Sequence, residues 1–321
     1  MRSAALKLCV SAVIAGSLLT ACNRGSSGTT GNSGGSGQVK VGVVVKTLSN
    51  PVWKGVADGA QAEAKKLGNV EVQVTGAQTE QDIQGQISKI DSFISQGVKA
   101  LLVAPNGAAQ LQPTLQRAAD KGIKVILIDT DISTFSAKTS FVGSSEADGA
   151  TTVAQYLVKT LGDKAKGTQA GVLDYPGNPT VQTRVDAGKK VMQDAGMTVV
   201  STLPGLCDRA TALNATQAML QSNPNIGAIF GSCGQNATGA TQAVVNARKS
   251  VQVVGFDGIN DEFADIKSGT MLATEWQDFP TIGAKAVDAA IDSINGKKVE
   301  ANIAVPAKLI TKDDVSQYNP Y

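Results

Sequence analysis

The sequence predicts an α/β protein of two similar halves, each a parallel β-sheet covered on both faces by helices. Two observations carry this expectation. From Val39 onward, short β-branched and aliphatic runs alternate with longer amphipathic stretches of helical period. The strand runs are apolar without interruption, as in Val43-Val44-Val45 and Val125-Ile126-Leu127-Ile128, the pattern of strands buried on both faces.

Taken in order, the first half reads as a strand over Val39–Val45, a helix over Pro51–Leu67, a strand over Val70–Val74 and a helix over Glu80–Gln96. A strand over Ala100–Val103, a helix over Ala108–Lys121 and a strand over Lys124–Ile128 complete it. The second half begins after Phe141 with a helix over Ser145–Leu161, a strand over Gln169–Leu173, a helix over Pro179–Ala195 and a strand over Met197–Leu203. A helix over Asp208–Gln221, a strand over Ile226–Phe230, a helix over Gln235–Arg248 and a strand over Val251–Val254 follow. No shorter repeat of 20 to 50 residues accompanies this pattern, so a solenoid is not expected.

The N-terminus has a different character. Arg2 and Lys7 precede an apolar run from Leu8 to Leu19, too short to span a bilayer comfortably and flanked like a secretory signal. The tetrapeptide Leu19-Thr20-Ala21-Cys22 resembles a bacterial lipobox. The expectation is a signal peptide over residues 1–22, with Cys22 acylated, becoming the first mature residue and anchoring the chain to the outer face of the cell membrane. An ordinary signal peptide with an incidental cysteine is the alternative. Residues 23–38 are nearly all Gly, Ser, Thr and Asn and read as a flexible tether of about 20 Å root-mean-square span.

The remaining chain is long enough for two domains. The formal net charge of +2 gives no footprint for nucleic acid, and no other segment is apolar and long enough to cross a membrane. The sequence has no histidine, which removes imidazole-based triads and most zinc sites. Any enzymatic reading would rest on carboxylates or lysines.

Open parallel sheets hold ligands outside the carboxyl ends of their strands. Polar residues stand at those ends here: Lys46 and Asn50 after the first strand, Asp129 and Asp131 after the fourth, Asp257 after Val253-Val254-Gly255-Phe256.

Val45-Lys46-Thr47-Leu48-Ser49-Asn50-Pro51, Gln61-Ala62-Glu63-Ala64, Val253-Val254-Gly255-Phe256-Asp257-Gly258 and Ile282-Gly283-Ala284-Lys285, in this order and spacing, resemble the ribose-binding-protein-like sugar receptors of bacterial importers. The resemblance runs from Val39 to about Thr311. It implies the type I periplasmic-binding fold: two Rossmann-like lobes with parallel sheets flanked by helices, joined by a three-segment hinge near Ser144, Gln277 and Val305. One lobe would take residues 39–144 plus 278–305, the other 145–277 plus 306–321. Related repressors carry a DNA-binding head before the first strand, where this chain has its signal and tether.

The resemblance further implies a monomer without cofactor or metal that closes on a small polyhydroxylated ligand, a sugar or polyol, and delivers it to an ABC permease. A sensor docking on a membrane kinase or chemoreceptor is the second reading. A remote third is a glycosidase using Asp129 and Asp257 as its carboxylate pair.

The family pattern places ligand-binding groups at Asn50, Asp129, Arg184, Asp257 and Gln277, types that serve two hydroxyls at once. Each has a structural alternative: a helix cap for Asn50, strand-end turns for the aspartates, an exposed ion pair for Arg184, a solvated amide for Gln277. Trp53 and Trp276 fall where an aromatic would stack on a sugar face, or either packs in a core. Relative to the ribose receptor, Lys46 replaces a small hydroxyl residue, Val52 an aromatic and Thr130 an arginine. Lys46 would aim a donor at an extra hydroxyl or a negative charge, or point to solvent. Cys207 and Cys233 take the places of an aromatic and an asparagine that line that receptor's site. They form either a disulfide bracing one wall or two buried thiols.

Overall fold

The computed structural model describes residues 37–321; the expected signal peptide, the lipidation site Cys22 and all but the last two tether residues lie outside the described residues. In chain order the first half comprises β1 (Val39–Thr47), α1 (Pro51–Leu67), β2 (Val70–Ala77), α2 (Ile83–Gln96), β3 (Ala100–Val103), α3 (Ala108–Asp120), β4 (Lys124–Ile128) and β5 (Ser140–Gly143). The second comprises α4 (Glu146–Leu161), β6 (Gln169–Asp174), α5 (Pro179–Asp194), β7 (Thr198–Pro204), α6 (Arg209–Ser222), β8 (Ile226–Gly231), α7 (Gly234–Asn246), β9 (Gln252–Asp257), α8 (Asn260–Ser268) and β10 (Ala273–Trp276). The chain ends with α9 (Phe279–Ile294), β11 (Asn302–Ala304) and β12 (Lys308–Ile310).

Two six-stranded sheets form, ordered β11-β5-β4-β3-β1-β2 and β12-β10-β9-β8-β6-β7. Pairing is parallel except at one edge, where β12 runs antiparallel to β10. In each sheet the strand order reverses direction at one strand, β1 and β6, with its successors on either side. That is the switch point outside which a crevice opens at the strands' carboxyl ends.

The chain passes between the sheets three times: from β5 into α4, from β10 into α9, and from β11 to β12. The return of α9 to the first sheet is secured by a helix contact without side chains. A Cβ at Gly59 would lie 2.0 Å from the carbonyl oxygen of Pro280, and one at Gly283 2.1 Å from that of Val56, so α1 and α9 meet backbone to backbone. Around this contact Val56, Ala60, Ile282 and Ala286 join Val41, Val43 and Leu102 in the first lobe's core.

The loop after β2 departs from the sequence expectation. A helix from Glu80 is expected, but α2 begins at Ile83, because the Asp82 carboxylate caps it by accepting from the Gly85 amide at 2.8 Å. Glu80 is thereby left in the loop at the carboxyl end of β2, buried, rather than on a helix.

Candidate ligand-binding cleft

The strand-end aspartates sit in backbone conformations that side chains rarely adopt. Asp129, directly after β4, has φ 61°, and Asp257, closing β9, has φ 95°. Such strain persists only where surrounding contacts fix it, and it concentrates at functional sites. Here both carboxylates are turned toward one cation, Arg184 of α5, which is 3% exposed. Arg184 Nη1 donates to Asp257 Oδ1 at 2.9 Å and to the Ser232 carbonyl at 3.1 Å. Its Nη2 lies 3.8 Å from Asp129 Oδ1, reaching across from the second lobe to the first. Nε donates to Glu146 Oε2, and the guanidinium lies 4.0 Å from the Phe256 ring centroid. Burial disfavours the Arg184 charge, but Glu146, Asp257 and Asp129 together outweigh it and hold the pKa above its ordinary value.

Each carboxylate has further partners. Asp257 Oδ2 accepts from the Gly234 amide at 3.1 Å, and its Oδ1 from Gln277 Nε2 at 3.1 Å. Asp129 Oδ2 accepts from Lys46 Nζ at 3.5 Å and from Thr130 Oγ1 at 3.0 Å. Thr130 in turn accepts from Thr180 Oγ1 of the opposite lobe at 2.8 Å. Lys46 is buried, 4.9 Å from the Trp53 ring centroid. Of the two expectations for Lys46, a solvent-facing amine is thus overturned.

Asn50 takes the cap role expected of it and adds a contact to Glu80. Its Oδ1 caps α1 through the Val52 amide at 3.4 Å, while its Nδ2 donates to Glu80 Oε1 at 2.9 Å. The Trp53 indole N–H donates to the same Glu80 oxygen at 2.8 Å. Arg184 is buried, not an exposed ion-pair partner, and Gln277 is fully buried, not solvated. Cys207 and Cys233 are joined, with sulfurs 2.18 Å apart, and tie the loop after β7 to the start of α7. The protein's Gly205-Leu206-Cys207 turn also approaches the first lobe, where Gln81 Nε2 donates to the Leu206 carbonyl at 3.3 Å.

Trp276 corrects the sequence expectation. Strand alternation turns Glu275 toward α4 and Trp276 to the opposite face of the sheet, over Gly258. There it packs on Tyr318 and Tyr321, ring centroids 5.4 and 6.3 Å away, and its Nε1 donates to the Asn319 carbonyl. It does not line the cleft; the next residue, Gln277, does the reaching inward.

Four polar groups at the cleft escaped the sequence reading: Glu80, Asn178 and Thr180, which line it, and Glu146, which pairs with Arg184. Burial pushes the Glu146 carboxyl up to about 7, opposed by Arg184 and assisted by the charges of Asp129 and Asp257. The strand-end rule that marks Asp129 would have marked Glu80 had its loop been recognised.

Between the lobes lies a narrow cavity of about 20 Å³, whose charged lining is Lys46, Glu80, Asp129, Arg184 and Asp257, with Trp53 and Phe279 as aromatic wall. A larger chamber of about 380 Å³ opens outside it, sharing Glu80 and Cys207. Fixed polar groups and an aromatic face, with a chamber of small-molecule size directly outside them, fit a ligand with several hydroxyls. Among the described residues no group of His, Cys, Asp and Glu is arranged to hold a metal ion.

Residues 41–298 match the family model described as a periplasmic binding protein domain. The chain is 33% identical over 282 residues to the ribose import binding protein of Bacillus subtilis, covering 88% of this chain and 90% of that protein. Among solved structures it resembles a periplasmic solute-binding protein of an ABC transporter from Actinobacillus succinogenes with bound D-allose. That likeness has a TM-score of 0.82 and 26% identity, over 88% of this chain and 100% of that one. A solute-binding protein of an ABC transporter from Bacillus halodurans with bound myo-inositol is similar, with a TM-score of 0.82 and 26% identity, over 89% and 98%. These relatives are binding proteins rather than enzymes. Two parallel sheets facing a shared crevice, strand-end carboxylates meeting there, and a family match over most of the chain lead to one conclusion: the protein belongs to the periplasmic binding protein family, among its ribose-binding-like type I members.

Proposed function

We propose that this protein is the extracytoplasmic solute receptor of an ABC importer and captures a monosaccharide or polyol between its lobes. One observation carries the reading. Carboxylates at the strand tips of two different sheets, Asp129 and Asp257, converge on one buried arginine beside a cavity walled by an aromatic ring. Carboxylates and a guanidinium offer acceptors and forked donors to hydroxyl edges, while Trp53 covers a C–H face.

In this reading Asp129, Asp257, Arg184, Lys46 and Gln277 bind hydroxyls, Asn50 contributes the amide hydrogen left free by Glu80, and Thr130 closes the gap onto Thr180. The Cys207–Cys233 disulfide forms part of the opposite wall. The three crossings between lobes form the hinge, and the lobes divide near residues 144, 277 and 305. Closure displays a surface that a permease recognises, and the permease's ATPases supply the energy. A monomer anchored by an acyl chain on Cys22 completes the picture, its tether lifting the receptor off the membrane. No catalysis is assigned, in keeping with the similar proteins, which are binding proteins.

A calorimetric and thermal-shift screen of the mature protein against pentoses, hexoses, deoxy sugars and cyclitols tests the reading. Binding of N but not U raises the melting temperature in proportion to the logarithm of ligand concentration. A hit that survives Asp129→Ala and Asp257→Ala would place the ligand outside the cleft and sink the assignment.

A further inference from the structure

The charged groups of the cleft are not balanced. Two cations, Lys46 and Arg184, and three carboxylates, Glu80, Asp129 and Asp257, line the inner cavity. Asp129 takes both cations at 3.5 and 3.8 Å, and Asp257 takes Arg184 at 2.9 Å. Glu80 forms no ion pair among the described residues, although it is only 8% exposed. Its Oε1 is occupied by the Asn50 amide and the Trp53 indole, both neutral donors. Its second oxygen is engaged by no hydrogen bond among the described residues.

Its surroundings do not supply the missing charge. Across the cleft stands Tyr175, whose hydroxyl is pushed up to about 12 by burial and then by the Glu80 charge. Arg209 at the mouth is turned outward to Asp261. Asp208, the other charge there, adds a second negative group while capping α6. A carboxylate withdrawn from water without a counter-cation is costly. A ligand that brings one positive charge to this place relieves that cost; one that brings a negative charge raises it.

We propose that Glu80 is a specificity-determining residue of the cleft and that its uncompensated carboxylate selects a polyol bearing an ammonium group over the neutral counterpart and rejects the corresponding acid. The inference rests on the polyol-capture reading above and names the ligand class within it. The amine lies at the boundary between the inner cavity and the outer chamber, where Glu80 lines both.

The test uses the mature protein and calorimetry with matched sets: D-glucose, D-glucosamine and D-glucuronate; D-galactose, D-galactosamine and D-galacturonate; myo-inositol and a mono-amino counterpart. The expected result is that in at least one set the amine binds about tenfold or more tightly than the neutral member, with the acid weakest. In Glu80→Gln, which keeps an acceptor for Asn50 and Trp53 but removes the charge, that preference shrinks to within about threefold. Neutral or acidic members binding as tightly as the amine in every set that binds would overturn the proposal while leaving polyol capture standing. An amine preference that persists in Glu80→Gln would remove Glu80 from the role. The wild-type comparison decides the ligand class even where the variant is poorly folded, and failure of every compound to bind would overturn both readings.

Discussion

Asp129 and Asp257 occupy equivalent places in the two sheets and share one arginine, yet they are held differently. Asp257 is fixed by three groups of its own surroundings at 2.9 to 3.1 Å: Arg184, Gln277 and the Gly234 amide. Asp129 has a single short partner, the neighbouring Thr130 hydroxyl, and its two cations stand at 3.5 and 3.8 Å, one of them in the other lobe. The second lobe therefore carries a finished anionic post. The first lobe carries a carboxylate whose charge partners are completed only when the lobes meet. Under the proposed function, a ligand in the cleft would compete with long contacts on one side and short ones on the other, which makes the first lobe the side that reads it.

The largest effect expected from this difference belongs to the shared arginine. Arg184→Met leaves Asp257, Glu146 and half of Asp129's compensation buried without a cation. Removing one partner of such a group costs about 3–5 kcal/mol. Urea unfolding of the ligand-free variant should show that loss, together with disappearance of any ligand-induced stabilisation. A midpoint equal to wild type would mean that the guanidinium does not hold the lobes' charges together.

Next comes the disulfide, which belongs to the second lobe alone. Cys207 and Cys233 are separated by 26 residues, and a cross-link of that span contributes about 3 kcal/mol through the unfolded chain. The Cys207→Ser, Cys233→Ser double variant should lose about that much in the same unfolding measurement, and reductant should have no further effect on it.

The aspartates themselves sharpen the comparison. Asp257→Asn, which weakens three short contacts, should destabilise the ligand-free protein by about 1–3 kcal/mol, and Asp129→Asn by less than about 1 kcal/mol. Both should abolish binding of any cleft ligand. Equal costs in the ligand-free state would erase the distinction between post and reader.

The smallest effect is a pH dependence. Burial raises Glu275 to about 8, and one of its oxygens has no partner; Glu146 is raised to about 7. Both ordinary values are 4.5, so between 4.5 and these raised values the folded state holds protons that the unfolded state releases. Rising pH then favours unfolding, and stability should fall from about pH 5 to pH 8. Glu275→Gln, lying behind the cleft against Gly149, should shallow the fall, melting above wild type at pH 8 with the gap closing toward pH 4.5. A melting temperature that rises over this range would contradict the sign.

The fold was legible where periodicity was long. The uninterrupted apolar runs of β1, β3 and β4 and the helices between them stand within a few residues of their expected ends. The short strands β5, β11 and β12 each include a polar, charged or glycine residue, so no uninterrupted apolar run like that of β3 marks them, and their pairing depends on partners far along the chain. In the cleft, Asn50, Asp129, Arg184, Asp257 and Gln277 come together as the strand-end rule and the family resemblance imply. Glu80 was hidden by one boundary error, because a carboxylate read as the first residue of a helix looks like ordinary surface charge. Trp276 misled in the opposite way: a single step along β10 decides which face of the sheet a side chain meets, and its aromatic partners Tyr318 and Tyr321 lie more than forty residues later.

The late return of α9 and β11 to the first sheet, and of β12 to the second, has a consequence for how the molecule is made. Neither half can finish its own interior while the ribosome still holds the last few dozen residues, since the glycine-to-backbone seam between α1 and α9 joins chain segments made more than two hundred residues apart. The growing polypeptide stays incomplete, and so threadable, until α9 and the two strands after it have been added.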